Sequence, residues 1–127
     1  MNLFSDIGAP NSILRASLRG LATRNEAISN NLANADVPGY RARDVQFEEQ
    51  LSEMIGDFPN NRRINLDGFA PTVHFRNLPY HQRVDQNNID IDVEMVLLYQ
   101  NAMRYETMVS SIQANSERLS TVLQGGR

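Results

Sequence analysis

Apolar positions in this 127-residue chain gather into two long periodic runs at its ends, separated by a polar, proline-broken middle. In the first run Leu14, Leu18, Leu21, Asn25, Ile28, Leu32 and Ala35 recur at alternating steps of four and three, the spacing of a coiled-coil seam. The pattern predicts a helix that begins after Gly8 and Pro10, with Asn11 or Ser12 capping its first free amides. Asn25 is the polar position. Either it meets a polar partner and fixes the register or it lies at an exposed edge, and the spacing does not choose between them. The helix is predicted to end near Asn34, because asparagine tolerates the left-handed conformation and Pro38 disfavours the helical region at Val37. Pro38-Gly39 then fits the centre of a type II turn.

The second run comprises Met95, Leu98, Ala102, Tyr105, Val109, Ile112, Ser116, Leu119 and Leu123, again in steps of three and four. Asp90, Asp92 and Glu94 open this helix against its positive N-terminal dipole. Gln124 closes it before Gly125 and Gly126. Between the runs, Phe47, Leu51, Met54 and Ile55 share one face of a predicted helix over Asp44 to Ile55, which Gly56 stops. Val73 and Phe75 alternate with His74 and Arg76 and suggest a short strand. The stretch from Met54 to Pro71 reads as a mobile loop.

These elements predict a mainly α protein: long N- and C-terminal helices paired as a coiled coil, with a small irregular, β-containing middle segment. Residues 1–40 and 86–127 form the paired helical domain, and residues 41–85 the middle segment with its short helix and loop. A lone hairpin of this kind is marginal, since two seams bury little apolar surface against the entropy of ordering two long helices. Further helices from other copies would supply the missing burial, so the ends of the isolated chain are expected to be partly disordered.

Composition narrows what such a chain can do. A net charge of −3 argues against nucleic-acid binding, which needs a basic surface to neutralise phosphates. The absence of cysteine excludes disulfides, zinc–thiolate sites and thiol nucleophiles. His74 and His81 are the only histidines and read as surface residues rather than metal ligands. Glu48, Glu49 and Glu53 look like the solvated face of the short helix, not an acid–base pair. Ser29, Ser110 and Ser111 lack a base-and-orienter pattern, and no glycine-rich phosphate loop is present. No catalytic residue, cofactor, metal or small-molecule substrate is therefore expected. The first residues lack the basic and apolar regions of a cleaved secretory signal, and no apolar run approaches the roughly 20 residues that span a bilayer.

One string goes further than periodicity. Asn30, Asn31, Leu32, Ala33 and Asn34, followed by Pro38, Gly39 and Tyr40, resemble the signature near the N-terminus of bacterial flagellar axial proteins, the rod, hook and hook-junction subunits. The continuation at Ala42, Arg43, Asp44 and Phe47, the run from Asn87 to Met95 and the short length resemble the proximal-rod members. Two kinds of proximal-rod subunit share the signature, and the acidic start of the second helix favours one of them. Gln86 departs from the family, which commonly has glycine before the two asparagines. The resemblance implies a structural subunit of the basal-body rod, the periplasm-spanning tube that transmits torque and encloses the export channel. It implies export through the flagellar type III apparatus without signal cleavage. Its implied partners are other copies of itself, neighbouring rod proteins and the rod-base adapter. Phe47 with Leu51 is similar to the Phe-x-x-x-apolar export-gate element of early substrates of this family, although the same spacing also suits the apolar face of the short helix. A soluble coiled-coil adaptor or regulatory protein is the alternative function, and it would form a defined small oligomer.

Overall fold

The computed structural model describes residues 3–56, 66, 68–76 and 84–125. In chain order these form α1 (Leu3–Ala33), β1 (Arg43–Val45), α2 (Glu48–Ile55), β2 (Val73–Phe75) and α3 (Ile91–Gln124). The two long helices run antiparallel: Asn31 bonds to Glu94 near one end, and Asn101 bonds to the Leu21 carbonyl two to three turns along. β1 and β2 pair antiparallel, with Arg43 opposite Phe75 and Val45 opposite Val73.

The mainly α architecture, the helix stop at Ala33 and the strand at Val73–Phe75 follow the sequence pattern. The turn does too, because Gly39 has φ +73° and the Tyr40 amide donates to the Val37 carbonyl at 3.2 Å. Helix α3 starts at its Asp90 cap, whose side chain accepts from the Asp92 and Val93 amides, and it ends at Gln124 as expected.

Three expectations are corrected. Helix α1 starts at Leu3 and runs through Pro10, so Asn11 and Ser12 lie inside it rather than capping it. Proline costs one ladder hydrogen bond near a helix end, and the long helix carries that loss. The short helix spans Glu48–Ile55, because Arg43–Val45 is drawn into the ladder with β2. Leu66 and Phe69, from the stretch expected as a mobile loop, are buried in the core, while residues 57–65 and Asp67 of that stretch lie outside the described residues. Glu94 stands in the first turn of α3 as expected, and its side chain is 0 % exposed.

The core explains how the helix pair is rotated. Ala16, Leu21 and Ala27 of α1 meet Val45, Phe47, Leu51, Leu66 and Phe69 of the middle segment, with Ile13, Ile55 and Met108 packed at its edge. Phe47 lies directly on the α1 backbone at Gly20, where an added Cβ would stand 2.4 Å from the ring. The middle segment thus covers one flank of the pair, and burial on both helices turns toward it. Leu21 and Ile28 of the expected seam are buried. Leu14, Leu18, Leu32, Leu98, Val109, Ile112 and Leu119 are only half-buried, and Asn25, Met95, Ala102, Tyr105 and Leu123 are exposed. Asn25, the polar position of the seam, is exposed in the single chain.

Candidate assembly site

Three segments distant in sequence converge where α1 ends, and asparagine side chains join them. Asn31 and Asn87 are 0 % exposed and Asn88 is buried, so each must satisfy its amide within the protein. Asn31 projects from the last turns of α1 onto β1. Its Oδ1 accepts from the Arg43 amide at 2.8 Å and its Nδ2 donates to the Arg43 carbonyl at 2.8 Å, the pair of bonds a neighbouring strand would make. The same Nδ2 lies 3.1 Å from Oε2 of Glu94 on α3.

Asn87 closes the C-terminal end of α1. Its Nδ2 donates to the carbonyls of Asn34, Ala35 and Val37 at 3.1, 3.0 and 2.8 Å, and its Oδ1 accepts from the Ile89 amide. These carbonyls lie just past α1, which ends at Ala33, so this side chain ties the turn that follows the helix to the approach to α3. Asn88 accepts from the Ala42 amide at 2.7 Å and donates to the Arg76 carbonyl at 3.2 Å, fastening both sides of the ladder to the start of α3. Beside them Ala35, Ala42 and Ile89 form a second apolar cluster with Tyr40 packed on it.

Glu94 completes the joint as a buried carboxylate. Its Oε1 pairs with Arg76, whose side chain is 15 % exposed, while its other oxygen receives Asn31. A buried charge is tolerated only when paired and hydrogen-bonded, and here both conditions hold. Gln86, just before the asparagine pair, has φ +63°, the left-handed conformation that costs a non-glycine residue about 1 kcal/mol or more. A glycine here would adopt it freely.

A second polar arrangement holds the middle segment to α1. Arg24 donates through Nε and Nη2 to the Val45 carbonyl at 2.9 and 2.7 Å, and binds Glu48 bidentately at 2.8 and 2.7 Å. Its guanidinium lies 4.8 Å from the centroid of the Phe47 ring, and Phe69 meets that ring edge-on at 6.4 Å. The hydrogen bond from Arg24 holds the Glu48 carboxyl below its ordinary value, although partial burial pushes the other way.

The signature residues therefore have distinct duties. The side chain of Asn34 acts locally, donating to the Asn30 carbonyl at 2.7 Å, which also accepts from the Asn34 amide at 3.2 Å. Asn31 is the long-range member, Leu32 is half-buried, and Ala33 is the last helical residue. Pro38 is exposed in the turn, and the Gly39 amide donates to the Asp85 carbonyl at 2.8 Å, so the turn itself is tied to the approach to α3. Phe47 and Leu51 are both buried in the main core. Asn87, Asn88, Arg76, Glu94, Arg24 and Gly20 were not marked as functional by sequence pattern. The Asn87-Asn88 doublet was the available signal. Among the described residues no helix is long and apolar enough to cross a membrane.

On the flank away from the middle segment the helices leave a groove of about 380 Å³ lined by Ala22, Asn25, Asn101, Ala102, Tyr105 and Glu106. Asn101 is buried there and donates to the Leu21 carbonyl at 2.9 Å. Its Oδ1 is buried without a partner among the described residues.

A hairpin of long helices, closed at one end by an asparagine-rich joint and uncovered along one flank among the described residues, has the build of a structural subunit, and comparison with known proteins gives its class. The family described as "Flagella basal body rod protein" matches residues 17–41, from the core-facing part of α1 to the turn beyond it. The flagellar basal body rod protein FlgB of Bacillus subtilis (strain 168) is 30 % identical over 136 aligned positions, covering all of both chains. FlgB of Yersinia ruckeri is 30 % identical, and that of Escherichia coli (strain K12) 27 % identical, each over 83 % of this chain and 86 % of the relative. The chain belongs to the FlgB family of flagellar basal body rod proteins. Its function is that of a structural subunit of the proximal rod in the flagellar basal body, assembling with other rod components.

Proposed function

We propose that the chain builds its part of the periplasm-spanning rod by laying the uncovered flank of its helix pair against other copies of itself and against neighbouring rod proteins, with the rod-base adapter among its partners. The observation that carries this is the half-burial of Leu14, Leu18, Leu32, Leu98, Val109, Ile112 and Leu119 along one flank. Apolar side chains at heptad spacing gain further burial only from another helix. The chain acts by assembly and not by catalysis. Sedimentation of the purified protein tests this: a rod subunit stays monomeric alone, whereas a soluble coiled-coil adaptor gives a defined small oligomer.

Delivery goes through the flagellar type III export apparatus without removal of a signal. Phe47 and Leu51 serve as the recognition element, and because both are buried in the folded core they are readable only while the chain is unfolded. That makes the core and the export element alternative uses of the same side chains. Phe69, equally buried, is the matched control. Phe47→Ala and Phe69→Ala each remove a core aromatic at a cost of about 3 to 5 kcal/mol, and loss of folding does not itself hinder export. Secretion of the Phe47 variant is expected to fall to a small fraction of the parent, with the Phe69 variant secreted normally. Equal secretion of both would remove Phe47 from the recognition step.

A further inference from the structure

The two edges of the small ladder are finished differently. Arg43 directs both its amide and its carbonyl to the side chain of Asn31, at 2.8 Å each. Its main chain therefore points away from β2, and the facing pair of Arg43 and Phe75 is of the non-hydrogen-bonded kind. Val45, two residues on, behaves alike: its carbonyl accepts from Arg24 at 2.9 and 2.7 Å, and its amide donates to Oδ1 of Asp44 at 2.9 Å. Side chains thus cover all four outward main-chain groups of β1. By the same alternation the amides and carbonyls of Val73 and Phe75 point outward from β2, and among the described residues nothing bonds to them. Sheet edges are normally blunted by charge, proline, a bulge or a covering element. Every residue of β2 is instead exposed, Val73 at 46 % and Phe75 at 57 %.

The two faces of the ladder differ as well. On one, Ala42 is buried and Arg76 pairs with the buried Glu94 of α3. Alternation puts Arg41, Arg43, Val73 and Phe75 on the other. The Arg41 guanidinium lies 5.1 Å from the centroid of the Phe75 ring, so its charge stands over β2, toward the open edge. Arg41 and Arg43 are exposed, and neither has an ion pair among the described residues. Asp44, the one acid of the ladder, alternates to the opposite face.

We propose that the open edge of β2 takes a third strand from another protein, an extended segment with carboxylates at alternate positions. Its main chain exchanges hydrogen bonds with Val73 and Phe75, and its carboxylates meet Arg41 and Arg43 across the Phe75 ring. A third strand suits a ladder of two three-residue strands, which is marginal alone. The charges do not favour a second copy as the donor. Outside the helices and turns the described residues carry two side-chain carboxylates, and both are engaged, Asp44 with the Val45 amide and Asp90 as the cap of α3. This edge is separate from the helix flank proposed above, so the two readings stand or fall independently.

The test uses the purified full-length chain with a capped peptide of alternating threonine and glutamate, and a threonine–lysine peptide as control. Amide hydrogen exchange is followed by NMR. In the chain alone the His74 amide, which faces β1, is expected to be protected and the Phe75 amide not. Raising the glutamate peptide to about ten times its Kd is expected to slow exchange at Val73 and Phe75 about tenfold, the ratio set by the unbound fraction. The lysine peptide is expected to leave both unchanged. Phe75→Pro removes the outward amide and spares the ladder, because proline is accepted where the N–H of an edge strand faces solvent. It is expected to lose the peptide while His74 stays protected, whereas Phe75→Ala, which keeps that amide, retains part of the binding. No slowing at Phe75 with the glutamate peptide, equal slowing with both peptides, or a Phe75→Pro chain that binds as well as Phe75→Ala would each overturn the proposal. A His74 amide that exchanges as fast as Phe75 in the unaltered chain would also overturn it, since no ladder would then be there to extend. Protection of Phe75 that grows with chain concentration in the absence of peptide would overturn it in favour of self-pairing.

Discussion

Glu94→Ala is expected to strip most of the helical circular dichroism from the purified chain at 25 °C, through a loss of about 3 to 5 kcal/mol. Arg76 is left partly buried without its counter-charge, and Asn31 loses one of its acceptors. The damage spreads beyond the ion pair, because the same joint ties β1 to α1 through Asn31 and ties β2 to the start of α3 through Arg76 and Asn88. For a single chain whose helices expose much of their apolar seam, a loss of that size approaches the whole of its stability. Glu94→Gln separates charge from hydrogen bonding. The amide keeps an acceptor for Asn31 and forgoes the charge facing Arg76, so it is expected to fall between the parent and alanine. Helical signal from Glu94→Ala within about a tenth of the parent would show that the buried carboxylate adds nothing to the fold.

Gly20→Ala is expected to destabilise the chain by about 2 kcal/mol, in the opposite direction to helix propensity. In an exposed helix interior this change stabilises by up to about 1 kcal/mol, because glycine has the greater freedom to lose. Here the new methyl would stand 2.4 Å from atoms of the Phe47 ring. The ring has little room to withdraw, since Arg24 lies over it, Phe69 meets its edge, and Leu51 and Leu66 belong to the same cluster. Overpacking of this kind costs about 1 to 3 kcal/mol or more and outweighs the propensity gain. Pairing Gly20→Ala with Phe47→Leu, which trims the ring, should return part of the loss. A rise in the urea midpoint for Gly20→Ala alone would mean that Phe47 does not rest on the helix backbone.

The contrast between these sites shows where sequence pattern informs and where it cannot. Both long helices were legible because their apolar residues repeat at a spacing that belongs to no other regular structure. The turn at Pro38-Gly39 was equally legible, since its backbone demands are met by two adjacent residues. The start of α1 was not, because a local rule about proline was set against the cooperativity of a long helix. β1 has only three residues, too few to display an alternation, and exists through its pairing with β2. Leu66 and Phe69 are isolated apolar residues in a polar stretch, and their burial depends on the hollow beside α1.

The candidate site divides in the same way. The asparagine-rich signature was visible as a string, but Asn31 differs from Asn30 only in facing Arg43 and Glu94, the latter 63 residues away. Heptad spacing located the stripe on each helix, and it could not say how much of that stripe the middle segment would cover. The exposure of Asn25, Ala102 and Tyr105 is a consequence of that coverage. It also leaves uncovered the flank proposed for assembly.

This chain is a structural component of the basal-body rod. The most direct measurement is imaging of basal bodies purified from cells whose only copy of the subunit carries an internal tag. Tag density is expected within the proximal rod, between the membrane-embedded base and the distal rod. Basal bodies with complete rods that lack the tag, together with tagged chain confined to the cytoplasm, would contradict it.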